Sequence, residues 1–343
     1  CSTPPLPELQ RQAELAAGRR GGASSEFTRV RQGEEALTAP EVVSLVQGEL
    51  DEAAVVRVAR INNPGLAAEY ANLGIARSAL VRAALLSNPA VEASVRFRQG
   101  HGDDDAVDIK AVQDLVDLAL LPRRREAAER SLDAAKDRLT SRILGVALEA
   151  RSSFCEYQTV MVLLEHKRKL ADCREAAMDV ARRMAEAGNM TALELAAFEQ
   201  RYHATQLELA ALQVDVKGKR EAVNRVMGLH EDTDWKAKPA GDPVVVGMSI
   251  LAEGADRNAL DASLELSAQR SEIVALAKQR GIVQTKSFLP ELKVGVDSER
   301  DPDHEWAVGP ALVLTVPLFD QGQAGIAAAD AHMQASWNQP GSS

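Results

Sequence analysis

Three rhythms of apolar and polar residues follow one another along this chain. Residues 41–62 and 64–86 carry apolar positions at helical spacing, with a break at Asn62-Asn63-Pro64, since proline disfavours helix in the residue before it. Asn88-Pro89 ends the second segment. Residues 91–98 then alternate strictly: Val91, Ala93, Val95 and Phe97 are apolar, while Glu92, Ser94, Arg96 and Arg98 are polar. That period belongs to a strand with one greasy and one wet face. After a polar stretch at 99–105, Val107, Ile109 and Ala111 alternate with Asp108 and Lys110, predicting a strand hairpin over 91–112 with an acidic tip.

The third rhythm is longer. Residues 123–187 contain no proline and one glycine, and Leu132, Leu139, Ile143, Val146, Leu163, Leu170 and Val180 recur at spacings built from three, four and seven. A helix over that span would be about 100 Å long. Gly188-Asn189 predicts a turn, and Thr191 with Glu194 a capping box opening a second helix over 191–227. Leu193, Phe198, Leu207 and Leu212 are its expected apolar face, and Gly228 its end. The pair forms a long helical hairpin over 122–228.

The pattern then repeats. A linker over 230–257, with Trp235 its expected buried residue, leads to a helix over 258–286. A strand hairpin over 291–317 follows, in which Leu292, Val294 and Val296 alternate with Lys293 and Asp297. Leu86–Val91 lays over Ser287–Leu292, and Leu121-Pro122-Arg123 over Val316-Pro317-Leu318, so the chain is an internal duplication of helix, strand hairpin and long helix. The predicted organisation is an extended N-terminal tether over 1–40, a first repeat over 41–229, the linker, and an incomplete second repeat over 258–343. Periodicity is lost at Trp337–Gly341, about twenty residues into the second long helix, so a C-terminal truncation is expected.

Composition narrows the function classes. Aromatics are 3 % and hydrophobic residues 45 %, mostly Ala and Leu between Glu, Arg and Lys, the mixture of long helices. The net charge of -10 excludes the basic footprint that nucleic-acid binding needs. No uninterrupted run of about eighteen apolar residues supports a membrane-spanning helix, which leaves barrel strands or an anchor for any membrane role. Cys155 and Cys173, about five turns apart on one helix, are expected as small core residues that cannot bridge. His101, His166, His203, His230, His304 and His332 have no paired metal spacing, and the acidic stretches beside His101 and His230 lack that of a calcium loop. No nucleophile elbow, phosphate loop or dinucleotide fingerprint is present. No enzyme, cofactor or metal site is expected.

The segment Val308-Gly309-Pro310-Ala311-Leu312-Val313-Leu314-Thr315-Val316-Pro317-Leu318-Phe319-Asp320-Gln321-Gly322 resembles the strand-to-helix signature of the TolC-like outer-membrane factors, the outer membrane efflux proteins. Asn63-Pro64, Asn88-Pro89, Ala187-Gly188 with Thr191 and Leu195, and Val226-Met227-Gly228-Leu229 support it, and the likeness covers residues 50–335. The resemblance implies a mainly α chain whose helical hairpins build a periplasmic tunnel and whose strands join a trimeric outer-membrane β-barrel.

It further implies a homotrimer that serves efflux or type I secretion as a passive duct. Solute would arrive from an inner-membrane pump through a periplasmic adaptor, or membrane fusion protein. On that model Val91, Ala93, Val95, Phe97, Leu292, Val294 and Val296 face outer-membrane lipid, and Glu92, Arg96, Lys293 and Asp297 face water. Pro122, Pro317 and Gly322 bend strand into helix, and the adaptor docks at Ala187, Gly188, Asn189, Thr191 and Leu195. Cys1, followed by Ser2, Thr3 and a proline-rich segment, is similar to the start of a mature lipoprotein, which implies a removed signal peptide and acylation at Cys1. Two other readings compete: a soluble periplasmic coiled-coil scaffold or adaptor, and a non-functional truncated remnant of a duct; without the last two helices, the chain as given is expected to make no sealed pore.

Overall fold

The structure, a computed structural model, describes residues 4–21, 40–96, 106–230, 233–241, 260, 262–300 and 305–338. Cys1, Phe97 and most of the linker at 242–257 lie outside the described residues. In chain order the elements are α1 (Leu6–Gly21), α2 (Pro40–Gln47), β1 (Glu49–Leu50), α3 (Glu52–Asn62), α4 (Pro64–Ala83), β2 (Ala90–Arg96), β3 (Ala106–Asp114) and α5 (Leu115–Glu186). Then come α6 (Ala192–Met227), β4 (Lys236–Ala237), α7 (Leu264–Phe288), β5 (Glu291–Arg300), β6 (Trp306–Thr315) and α8 (Gln323–Asn338). No described helix is long and apolar enough to cross a membrane.

The chain forms two compact units, one of Cys1–Ala13, Ala71–Leu139 and Asp256–Ser343, the other of Glu14–Tyr70 and Thr140–Ala255. In the second, α5 and α6 pair as an antiparallel coiled coil. Ile143, Ala150, Tyr157, Leu164, Ala171 and Met178 recur every seventh residue on α5 and are buried. On α6 the matching line is Leu195, Tyr202, Leu209, Val216 and Val223. Seven-residue spacing keeps one seam turned toward the partner helix. Where α6 ends, Val55, Val58, Phe154, Val223, Met227 and Trp235 close a core. The Trp235 indole donates to Asn224 Oδ1 at 2.7 Å and meets the Tyr157 ring edge-on at 5.2 Å.

The Asn62-Asn63-Pro64 break fastens this core. Asn62 Nδ2 donates to the carbonyls of Met227 at 3.0 Å and Gly228 at 2.8 Å. Asn63 Nδ2 donates to Val226 O at 2.8 Å, while Asn63 Oδ1 accepts from Leu66 N at 3.0 Å at the start of α4. Gly228 sits at φ +67°, and a Cβ there would lie 2.3 Å from Asn62 O. Only glycine fits.

Several expectations change. Residues 6–21 form helix α1, not an extended tether, because Leu9, Ala13 and Ala17 are buried at four-residue spacing, a pattern that alanines hide. The helix expected over 41–62 is interrupted after Gln47, where β1 pairs parallel with β4 and Asp51 caps α3 through Ala54 N at 2.8 Å. Cys155 and Cys173 are exposed, because they fall between the positions of the buried seam. Leu193 and Leu207 do not share a face with Phe198 and Leu212: the first two are 82 % and 73 % exposed, the others half-buried.

Candidate functional site

In the first unit, four antiparallel strands form one sheet in the order β2-β3-β5-β6. The register decides what each face carries. Val91 stands opposite Ala111, Ala111 opposite Val296, and Val296 opposite Pro310. Ala93 pairs with Ile109, Val294 with Leu312, and Leu292 with Leu314. Paired residues share a face, so these apolar side chains form one continuous surface. It is bare: Val91 is 67 % exposed, Val296 53 % and Leu312 68 %. Every described strand position expected on the greasy face therefore lies on it.

The opposite face is charged. Glu92, Lys110 and Asp297 form one row across three strands, and Ser94, Asp108 and Glu299 the next. The Arg96 guanidinium spans strands, lying 3.7 Å from Asp108 and 3.2 Å from Glu299. Lys293 meets Glu291 at 2.7 Å. One row between these charges is small and apolar: Val112, Gly295 and Ala311 are in register, and a Cβ on Gly295 would collide with the Ala111 carbonyl.

Both outer strands, β2 and β6, are paired on one side only among the described residues. Strands β5 and β6 have ten residues each, about 33 Å, the span of a tilted strand crossing a bilayer. Aromatic side chains stand at both ends. Trp306 is opposite Arg300 at one rim, and exposed Phe288 and Phe319 flank the Glu291–Thr315 pair at the other.

The three positions assigned to strand-to-helix bends divide. Pro317 and Gly322 lie in the connection between β6 and α8, where Gly322 takes φ +73° and a Cβ would meet Ser287 Oγ at 2.0 Å. Pro122 is not at a bend: α5 begins at Leu115 and carries Pro122 inside it. The reason is Asp114, whose Oδ1 accepts from Val116 N at 2.8 Å and Asp117 N at 3.3 Å, so the helix starts before the proline. Asp117 then receives Arg124 Nη1 at 2.9 Å and Lys286 Nζ at 3.1 Å. Burial pushes the Asp117 carboxyl up, but the Lys286 hydrogen bond and charge, with help from Arg124 and Ser87, bring it below its ordinary value.

In the second unit, the α5–α6 turn displays Ala187, Gly188 and Asn189 on an exposed tip. Gly188 takes φ +76°, and Asn189 N donates to Met184 O at 2.8 Å, closing α5. Thr191 caps α6: Glu194 N donates to its Oγ1 at 3.3 Å, and Thr191 N to Glu194 Oε2 at 2.9 Å. Those bonds from Thr191 hold the Glu194 carboxyl below its usual range. Leu195 is half-buried in the hairpin seam, so the exposed apolar side chain at the tip is Leu193, which spacing alone did not distinguish.

The same hairpin carries outward lines that the sequence reading missed. On α5, Leu163, Leu170 and Met184 fall on one seven-residue spacing and are exposed. On α6, Leu193, Leu207 and Val214 do the same. A helix with a second apolar seam is built to touch a second helix.

Sheet, edge strands and double-seamed hairpin together match one known architecture. The chain has the fold of the outer-membrane efflux channels. Against the outer-membrane channel OprN the TM-score is 0.66 at 15 % identity, covering 92 % of this chain and 74 % of that one. The outer membrane protein VceC from Vibrio cholerae gives 0.66 at 15 %, over 83 % and 73 %. The Neisseria gonorrhoeae MtrE channel in its open state gives 0.62 at 15 %, over 83 % and 68 %. No protein-family model and no curated protein matches the sequence.

Proposed function

We propose that this chain is the outer-membrane exit-duct subunit of an efflux or type I secretion system, working as a homotrimer with no chemistry of its own. One observation carries the reading: among the described residues the four-stranded sheet has one bare apolar face, one charged face and two unpaired edges. In lipid an unpaired edge is untenable, so such a piece must close with other copies, and three copies of four strands make a barrel of twelve. The apolar face then turns to lipid, with Trp306 at one headgroup level and Phe288 and Phe319 at the other. The face bearing Glu92, Arg96, Asp108 and Asp297 lines the water-filled interior. The outward seams on α5 and α6 take neighbouring helices in the tunnel wall.

On this reading the tip at Ala187, Gly188, Asn189, Thr191 and Leu193 receives a periplasmic adaptor, which delivers solute from an inner-membrane pump. The test is to extract the full chain from its native membranes, run it unheated on a gel, and reconstitute it in a planar bilayer. A trimeric band with one defined conductance level is expected. A monomer that stays in buffer without detergent and conducts nothing would overturn the reading in favour of a scaffold or a remnant.

A further inference from the structure

Helix α1 belongs to neither the sheet nor the hairpin; its residues up to Ala13 fall in the first unit, and those from Glu14 on meet the rest of the second unit through an acid. Glu14 is 3 % exposed, one carboxyl oxygen takes a short hydrogen bond from the Tyr70 hydroxyl of α4, and the other, Oε2, is buried with no hydrogen-bond partner. Arg60 of α3 is the cation whose charge reaches both Glu14 and Tyr70. One turn further along α1, Ala17 and Gly18 cover a cavity of about 270 Å³ whose other walls include Val56, Arg60, Ile143 and Arg151. Arg151 is already paired with Glu52 at 3.0 Å. The acid is therefore set where a charge has one hydrogen bond and the neighbouring helix surface is incompletely filled.

We propose that α1 is a proton-sensitive clasp: it docks with Glu14 neutral and loosens when Glu14 ionises. A buried carboxylate with an unmatched oxygen is costly, whereas the neutral acid needs far less from its surroundings. Burial, the largest influence on Glu14, pushes its titration upward, while the Tyr70 hydroxyl and Arg60 work against it. The sign follows. An acid that titrates higher when docked than when free lends its full docking strength below the ordinary value of 4.5, and loses it as pH rises through the docked value. Above that point α1 loses this part of its hold and keeps its apolar contacts at Leu9, Ala13 and Ala17.

Hydrogen exchange of the 6–21 amides in the detergent-solubilised full chain, from pH 4.5 to 8 and corrected for intrinsic rates, reads the clasp directly. Protection should fall by up to tenfold per pH unit from the acid end and then level. The same peptide in Glu14→Gln should stay flat at the acid-side level, and Tyr70→Phe should carry the decline to higher pH, because the carboxylate loses its hydroxyl donor. A flat wild-type profile overturns the proposal. So does a Glu14→Gln chain with the wild-type slope or with α1 unprotected at every pH, or a Tyr70→Phe profile identical to wild type.

Discussion

A charge placed on Leu312 separates a lipid-facing sheet from one that merely lies bare in water. The side chain is 68 % exposed in the isolated chain and sits near the middle of β6, opposite Val294 on the apolar face. If that face meets water, Leu312→Arg removes little packing, and stability should change by no more than about 0.5 kcal/mol. If it meets hydrocarbon, an arginine near mid-bilayer costs about 2–4 kcal/mol. Ser94→Arg is the matched control, since Ser94 lies on the charged face of β2 opposite Asp108. The assay is equilibrium guanidinium unfolding of the full chain in lipid vesicles at fixed protein concentration, followed through tryptophan emission. The expected result is a loss of about 3 kcal/mol for Leu312→Arg, with Ser94→Arg within about 0.5 kcal/mol of wild type. Equal effects, or no effect of Leu312→Arg, would refute the assignment of that face to lipid.

Four further outcomes rest on particular positions. Gly228→Ala should destabilise the second unit by about 3–5 kcal/mol, combining the left-handed backbone with displacement of Asn62 and its hydrogen bonds. Gly188→Ala, at φ +76° with open space around it, should cost only about 1–2 kcal/mol, and denaturant melts of the two variants compare them. Thr191→Ala removes the hydroxyl half of the capping box, leaving the bond from the residue 191 amide to Glu194, and should lower stability by about 1 kcal/mol, read as faster exchange of the first α6 amides. Asp117 titrates below its ordinary value of 3.8 when folded, so the stability it contributes is present above that value and lost as pH falls below it. Acid unfolding of Asp117→Asn should accordingly show a shallower dependence on pH in that range than wild type.

The local patterns were legible because they depend on neighbours in sequence. Alternation marks the two strand hairpins, seven-residue recurrence the long α5–α6 hairpin, and Thr191 with Glu194 the cap of α6. The duplication is visible for the same reason, as two stretches obey the same periods in the same order. What alternation does not contain is registry between strands far apart in the chain. That β3 pairs with β5, bringing Ala111 beside Val296 and joining two hairpins into one sheet with one greasy face, is decided by long-range hydrogen bonding and the closure it permits. Likewise α1 escaped notice because its buried stripe is largely alanine, and α5 begins ahead of Pro122 because Asp114 supplies a cap that outweighs the proline as a starting signal. The outward seams of the hairpin needed the structure too: Leu193 and Phe198 look alike as apolar letters, and only packing shows which one the partner helix covers and which one it leaves bare. Glu14 is the clearest case. In sequence it is one glutamate among alanines and arginines; burial against Tyr70 alone turns it into a group whose charge state matters.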